Sequence, residues 1–383
     1  MNTPKFIIAP DSFKESLTSL AAAEAMKAGI EKVFASAEIE LIPMADGGEG
    51  TLEVIINARK GEFRKVTVTD PLGRKIEAQY GFISEDKKAV IEIAKACGLQ
   101  LINKGARNPL NTTTYGVGQI IIDALDNGAK HLIICLGGSA TNDGGLGMLM
   151  ALGAKAYNKF GEKIGLGGKE LINIDYIDVS SLDSRLKDIN IEVACDVENP
   201  LVGKNGATFV FAPQKGADEK IIEVLEEGML NYSRIIKECL KVDVGNMPKA
   251  GAAGGLGAAF ILLGANMVSG VDLVLKHTNF EEKVQGAAYI FTGEGSVDYQ
   301  TKYGKTIAGI GQIGKKYNIP VIVLAGKVGD NIDELYSMGI TAVFGIIDKP
   351  KELDEALKDG FKSIEKVSEN IARILKIIPL CKA

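Results

Sequence analysis

Histidine is almost missing from this chain: the 383 residues hold two, His131 and His277. His131 begins an apolar run and reads as structural. His277, in Leu275-Lys276-His277-Thr278-Asn279, has no Cys, Asp or Glu at metal-motif spacing. A His-based catalytic triad is therefore disfavoured. The Gly-x-Ser-x-Gly elbow is absent too, because Thr141 stands where Gly137-Gly138-Ser139-Ala140 needs its last glycine. Neither standard nucleotide fingerprint is complete. Gly304-Lys305-Thr306 looks like the end of a P-loop, but position 299 is Tyr where that motif needs Gly; Gly293-Glu294-Gly295 lacks a third glycine, since position 298 is Asp. The five cysteines form no Cys-x-x-Cys pair and sit mostly in apolar segments, as reduced core thiols of a cytosolic protein do. A net charge of −5 argues against a nucleic-acid partner. Residues 250–271 carry no charge, but glycines, Asn266 and Ser269 interrupt them, and the strongly apolar part, 258–263, is too short for a bilayer. With no signal-peptide pattern at the N-terminus, the expectation is a cytoplasmic protein with no membrane partner. Oligomeric state is not legible.

What is present points to an α/β protein. Residues 5–9 are an apolar run ending at Pro10, a short buried strand. Thr18 is a plausible N-cap for a helix with Ala22, Met26, Ile30 and Val33 on one face. Residues 38–42 form a second strand, and a helix continues from Leu52. Late in the chain, strands at 288–292, 320–325 and 342–347 alternate with helices, the last long one keeping Leu353, Leu357, Phe361, Ile364, Val367, Ile371 and Leu375 at helical spacing. Two strands plus three give a parallel sheet of flavodoxin size. Between these ends, residues 66–69, the turn Asp70-Pro71-Leu72-Gly73 and residues 76–83 read as a hairpin, which does not belong in the middle of a doubly wound sheet. The expected fold is α/β: a flavodoxin-like parallel-sheet domain built from both termini, residues 1–60 and 286–383, with a second, mixed α/β domain inserted at 61–285. The chain length suits two domains.

The polar candidates fall in loops that follow strands: Asp11-Ser12-Phe13-Lys14, Asp46-Gly47-Gly48-Glu49, residues 137–145, Asp196 in Cys195-Asp196-Val197-Glu198-Asn199-Pro200, and Gly293-Glu294-Gly295-Ser296-Val297-Asp298. In open parallel sheets ligands bind at the carboxyl ends of strands. These loops hold what phosphoryl transfer needs: amides and Lys for phosphate charge, carboxylates for Mg2+, and one carboxylate to take a hydroxyl proton. In the stretch Gly137-Gly138-Ser139-Ala140-Thr141-Asn142-Asp143-Gly144-Gly145, glycine lets backbone N–H groups approach a ligand, and a following helix N-terminus favours an anion. Each loop also has a plain reading as a cap, a turn or a solvated charge. Asp196 is the hardest to dismiss, because it follows an apolar strand heading into a core.

Taken in order, these motifs, with Gly251-Ala252-Ala253-Gly254-Gly255-Leu256-Gly257, resemble the series found in bacterial glycerate kinases, from about Lys5 to near the C-terminus. The resemblance implies ATP- and Mg2+-dependent phosphorylation of D-glycerate, with 2-phosphoglycerate the common product, and a flavodoxin-like domain carrying an inserted α/β domain. Residue roles are expectations. Asp196 acts as general base. Gly137, Gly138, Ser139 and Thr141 hold ATP phosphates, with Gly293, Glu294, Gly295 and Ser296 also at the nucleotide. Asp46 or Asp298 holds Mg2+. Lys14 pairs with phosphate or with the glycerate carboxylate. Asp11, Ser12, Asp46, Gly47, Gly48, Glu49, Asn142 and Asp143 face the substrate. Two alternatives stay open: a kinase of another small hydroxy acid, and a non-catalytic sensor of sugar acids or nucleotides.

Overall fold

The computed structural model describes residues 4–302 and 306–377, so Gly304 and Lys305 of the P-loop-like triplet and Cys381 lie outside the described residues. In chain order the strands are β1 (Lys5–Ile8), β2 (Glu38–Leu41), β3 (Glu62–Thr69), β4 (Lys75–Ile83), β5 (Lys88–Glu92), β6 (His131–Cys135), β7 (Lys155–Tyr157), β8 (Tyr176–Asp178), β9 (Asn190–Ala194), β10 (Asn266–Val268), β11 (Tyr289–Val297), β12 (Val321–Val328) and β13 (Ile340–Gly345). The chain divides into two compact units, one made of Met1–Asp46 with Val271–Ala383, the other of Gly47–Gly270.

The first unit holds a five-stranded sheet ordered β13-β12-β11-β1-β2, with every pairing parallel. Numbered within the unit, this is the flavodoxin-like order 2-1-3-4-5, whose switch point falls between its first and third strands, here β1 and β11. Helix Ser19–Glu31 starts where Thr18 Oγ1 accepts from Ala21 N at 3.2 Å. It lies against helix Gly360–Ile377 so closely that a Cβ at Gly29 would be 2.3 Å from Glu365 O. The expected single final helix is broken into Leu353–Lys358 and Gly360–Ile377.

The second unit holds a mixed six-stranded sheet ordered β10-β9-β6-β5-β4-β3. Strands β5, β6, β9 and β10 run parallel, and β4 and β3 add antiparallel. The sequence shows why. In β6 and β9 the residues after the first are buried, as befits strands covered on both faces. Edge strand β3 is half exposed and carries alternating polar residues. Strand β10 was not legible, because it is only three residues long inside a glycine-rich apolar stretch.

The junctions fall at Asp46/Gly47 and Gly270/Val271, not near 61 and 285. The reason is packing. Helix Thr51–Ala58 lies on β4, where a Cβ at Gly81 would be 2.2 Å from Ile56 Cγ1 and 2.8 Å from Leu52 Cδ1. Val271 and Leu275 pack instead on helix Thr306–Tyr317, at 2.7 and 3.1 Å from a Cβ built at Gly309. Among the described residues, no helix is long and apolar enough to cross a membrane.

Candidate active site

In the first unit, β1 delivers Asp11 to the switch point. Ala9 N donates to Phe291 O at 2.7 Å and Asp11 N to Gly293 O at 2.8 Å, so the turn stays stitched to β11. The half-buried Asp11 carboxylate accepts from Ser12 N at 2.6 Å and from Thr306 Oγ1 at 2.8 Å. Burial pushes its pKa above the ordinary carboxylate value; the two hydrogen bonds pull it back, Asp46 adds to the rise and Lys14 opposes it. Asp46 is exposed, on the segment after β2 whose Met44 N donates to Pro10 O at 2.8 Å. Two neighbouring carboxylates whose charges repel offer the oxygen donors and the negative field that a hard divalent cation takes.

Lys14 is exposed on a tight turn closed between Phe13 and Leu17. Gly295 comes beside it, a Cβ there lying 3.5 Å from Lys14 N. Gly293, Glu294, Gly295 and Ser296 do not form the expected loop. They continue β11, paired with β12 as far as Val297 and Val328. Gly293 is required by that pairing, since a Cβ would sit 2.2 Å from Leu324 O. Glu294 Oε1 accepts from Thr301 Oγ1 at 3.1 Å, and Thr301 Oγ1 accepts from Asp298 N at 3.1 Å, which ties Glu294 to the Asp298 turn.

In the second unit, the carboxyl ends of β6, β9 and β10 are drawn together by glycines. A Cβ at Gly47, whose φ is 86°, would be 2.5 Å from Gly270 Cα and 2.8 Å from Ala194 Cβ, and one at Gly137 would be 2.9 Å from Gly48 Cα. Asp196 stands exposed just past β9, its Oδ1 accepting from Gly270 N at 3.0 Å. Glu49 is exposed beside Gly48.

The glycine-rich stretch corrects its own expectation. Gly138 is exposed and Gly137 half-exposed. Ser139, Thr141, Asn142 and Asp143 are instead 6%, 0%, 0% and 1% exposed, so their side chains face the interior. Asp143 Oδ2 accepts from Thr114 N at 2.8 Å, Thr114 Oγ1 at 2.9 Å and Gly147 N at 3.3 Å; its Oδ1 accepts from Gly145 N at 3.1 Å. Burial raises its pKa and these donors oppose the rise. Asn142 Nδ2 donates to Thr208 Oγ1 at 3.1 Å. The start of helix Leu146–Ala151 therefore already has its anion, the chain's own carboxylate. The start of helix Thr51–Ala58 is filled in the same way, Leu52 N donating to the buried Glu92 Oε1 at 3.0 Å.

Lys215 is the residue that sequence reasoning missed. It is 2% exposed, and its Nζ donates to Ser139 Oγ at 3.0 Å and to Thr141 O at 2.6 Å. In Ala212-Pro213-Gln214-Lys215-Gly216 it looks like any solvated lysine. The available signal was the run 251–257, where Ala253, Gly254 and Gly255 take left-handed φ of 53°, 72° and 93°. Gly254 makes room for the lysine, since a Cβ there would be 2.0 Å from Thr141 O and 2.9 Å from Lys215 Nζ.

With these loops in place, comparison with known proteins decides the family: the profile described as Glycerate kinase family matches residues 6–376. The chain belongs to the glycerate kinase family. Glycerate kinase of Halalkalibacterium halodurans is 48% identical over 97% of this chain and 98% of its own length. Glycerate 2-kinase of Escherichia coli K12 is 46% identical over 97% and 98%. The crystal structure of a protein assigned as glycerate kinase 2 from Salmonella typhimurium LT2 superposes with a TM-score of 0.88 at 43% identity, covering 98% of this chain and 99% of that one. Both units thus lie within the span shared with the glycerate kinase family.

Proposed function

We propose that the chain transfers the γ-phosphoryl group of ATP to the C2 hydroxyl of D-glycerate, giving 2-phosphoglycerate and ADP, with Mg2+ as the accompanying cation. The observation that carries this is membership of the glycerate kinase family along nearly the whole chain, joined to a 46% identical relative named glycerate 2-kinase. The local chemistry supports it. The bond from the γ-phosphorus to the ADP oxygen breaks, a bond to the glycerate O2 forms, and the hydroxyl proton needs an acceptor. Asp196 is that acceptor: an exposed carboxylate at a strand end, oriented by Gly270 N. Lys14 is the exposed cation for the phosphate or the glycerate carboxylate. Ser12 and Glu49 are accessible for substrate contacts at the same kind of strand end. Asp46 with Asp11, or Asp298, supplies oxygen donors suited to Mg2+, which when bound neutralises charge on the transferring group. The Gly137-Gly138 backbone meets the ATP phosphates.

An ATP-consumption assay over a panel of hydroxy acids tests the activity. Turnover with D-glycerate that stops on chelating Mg2+, with phosphate at C2 of the product, is the expected result. Turnover with a different acid alone would overturn the substrate, and binding without turnover would favour a sensor. Gly138→Asp tests the phosphate surface, with Gly138→Asn as its control, because both side chains tolerate the left-handed φ of 72° found there. The extra charge should raise the KM for ATP by about two orders of magnitude over the Asn variant, since a like charge roughly 5 Å away near a surface costs about 3 kcal/mol. Equal KM values for the two variants would place the phosphates elsewhere.

A further inference from the structure

Lys215 has no evident structural need to be a cation. Its Nζ is held by two neutral oxygens, Ser139 Oγ and Thr141 O. A methionine or glutamine fills similar volume, whereas an ammonium inside a protein without a bonded carboxylate is costly. The groups around it do not supply a counter-ion in contact. From helix Ala94–Cys97 comes the Cys97 thiol, which burial pushes up to about 12, so it is neutral. The glycine loop contributes the Asp143 carboxylate, close enough to act on Lys215 but committed to Thr114, Gly145 and Gly147. The backbone of Arg107 meets the turn after Lys215, where a Cβ at Gly216 would be 2.3 Å from Arg107 O, while its guanidinium donates to Leu99 O at 3.2 Å.

The two acceptors of Lys215 flank Ala140 in the segment immediately after exposed Gly138. Cys97 and Leu99, at and just after the end of helix Ala94–Cys97, also hold that segment, with Leu99 N donating to Gly138 O at 2.9 Å and Ala140 N to Cys97 O at 2.8 Å. The lysine therefore holds, from the interior, the residues that continue the exposed Gly137-Gly138 backbone. A charge in a low-dielectric interior is screened less than one in water, so it is felt at that exposed surface.

We propose that Lys215 is a positioning residue for ATP, locking Ser139 and Thr141 behind the Gly137-Gly138 backbone and giving that surface the positive charge that attracts the polyphosphate. The inference rests on the reading that this backbone meets the ATP phosphates. Burial lowers the Nζ pKa to about 8. The charge is thus present below pH 8 and is lost above it. Loss of charge should weaken ATP binding by up to about tenfold per pH unit. Folding stability should move the other way. A lysine whose pKa is lower folded than unfolded makes the fold more stable as pH rises from about 8 towards 10.5. A purely structural lysine would show the second effect without the first.

The experiment measures the ATP dissociation constant and the unfolding midpoint from pH 6.5 to 9.5 for the wild type, Lys215→Met and Lys215→Arg. Expected are ATP affinity falling above pH 8 in the wild type, affinity at pH 7 about tenfold weaker and flat with pH in Met, and near-wild-type, flat affinity in Arg. Affinity in Met within twofold of wild type, or wild-type affinity that stays flat across the pH range in which the unfolding midpoint reports the lysine's titration, overturns the proposal. If Met does not fold, Lys215→Gln, neutral and of similar volume, takes its place in the same comparison. Gly138→Asp separates the two failures: if it weakens ATP while Lys215→Met does not, the phosphate surface stands and the role of Lys215 falls.

Discussion

Asp196→Asn lowers kcat by about two to four orders of magnitude, the usual contribution of a positioned general base. Asn suits the test because it keeps the shape and the Oδ1 that accepts from Gly270 N at 3.0 Å, while it removes the negative charge and with it the ability to take a proton. The side chain is exposed, and the variant should unfold at the wild-type midpoint. ATP binding should also persist, since in the proposed mechanism Asp196 meets the acceptor hydroxyl and not the nucleotide. Near-normal turnover at saturating ATP and D-glycerate in a folded Asp196→Asn would sink the assignment. Asp196→Ala should be worse in a specific way. It frees the Gly270 amide as well, and a Gly270 shift would disturb Gly47, whose Cβ position lies 2.5 Å from Gly270 Cα.

Asp143→Ala destabilises the protein by about 3 kcal/mol or more, although Asp143 touches no substrate in the proposed mechanism. Its carboxylate is 1% exposed and satisfies Thr114 N, Thr114 Oγ1, Gly145 N and Gly147 N. Hydrogen bonds to a charged group contribute roughly 1.5–3 kcal/mol each, and donors left unpaired in the interior add their desolvation. Asp143→Asn keeps one acceptor but points an NH2 at donors, so a loss of about 1–3 kcal/mol is expected. Urea unfolding measures both, and a wild-type midpoint for Asp143→Ala would show that the loop is held some other way. The KM for ATP should rise alongside, because Thr114 Oγ1 also accepts from Met148 N at 2.9 Å and so carries the disturbance into the helix behind the loop.

The sequence by itself determined the parallel sheet of the first unit and its origin in both chain ends. Apolar runs ending at proline or glycine, separated by helices of clear periodicity, are local signals, and right-handed β-α-β connection leaves few ways to assemble them. It also placed Asp11, Asp46 and Asp196 correctly just beyond strand ends, since a polar residue after an apolar run is visible without coordinates. Tertiary packing decided the rest. Helix Thr51–Ala58 joined the second unit because Leu52 and Ile56 fit the space left by Gly81, a contact between residues distant in sequence. Residues 293–296 became strand because β12 pairs with them, whatever their loop-like composition. Most of all, the stretch 137–145 looked like a phosphate cradle because Ser139, Thr141, Asn142 and Asp143 are polar. Composition does not say which way a side chain points. Only the fold turned those side chains inward onto Thr114, Thr208 and Lys215, leaving backbone at the surface and a buried lysine, drawn from about 75 residues away, as the charge behind it.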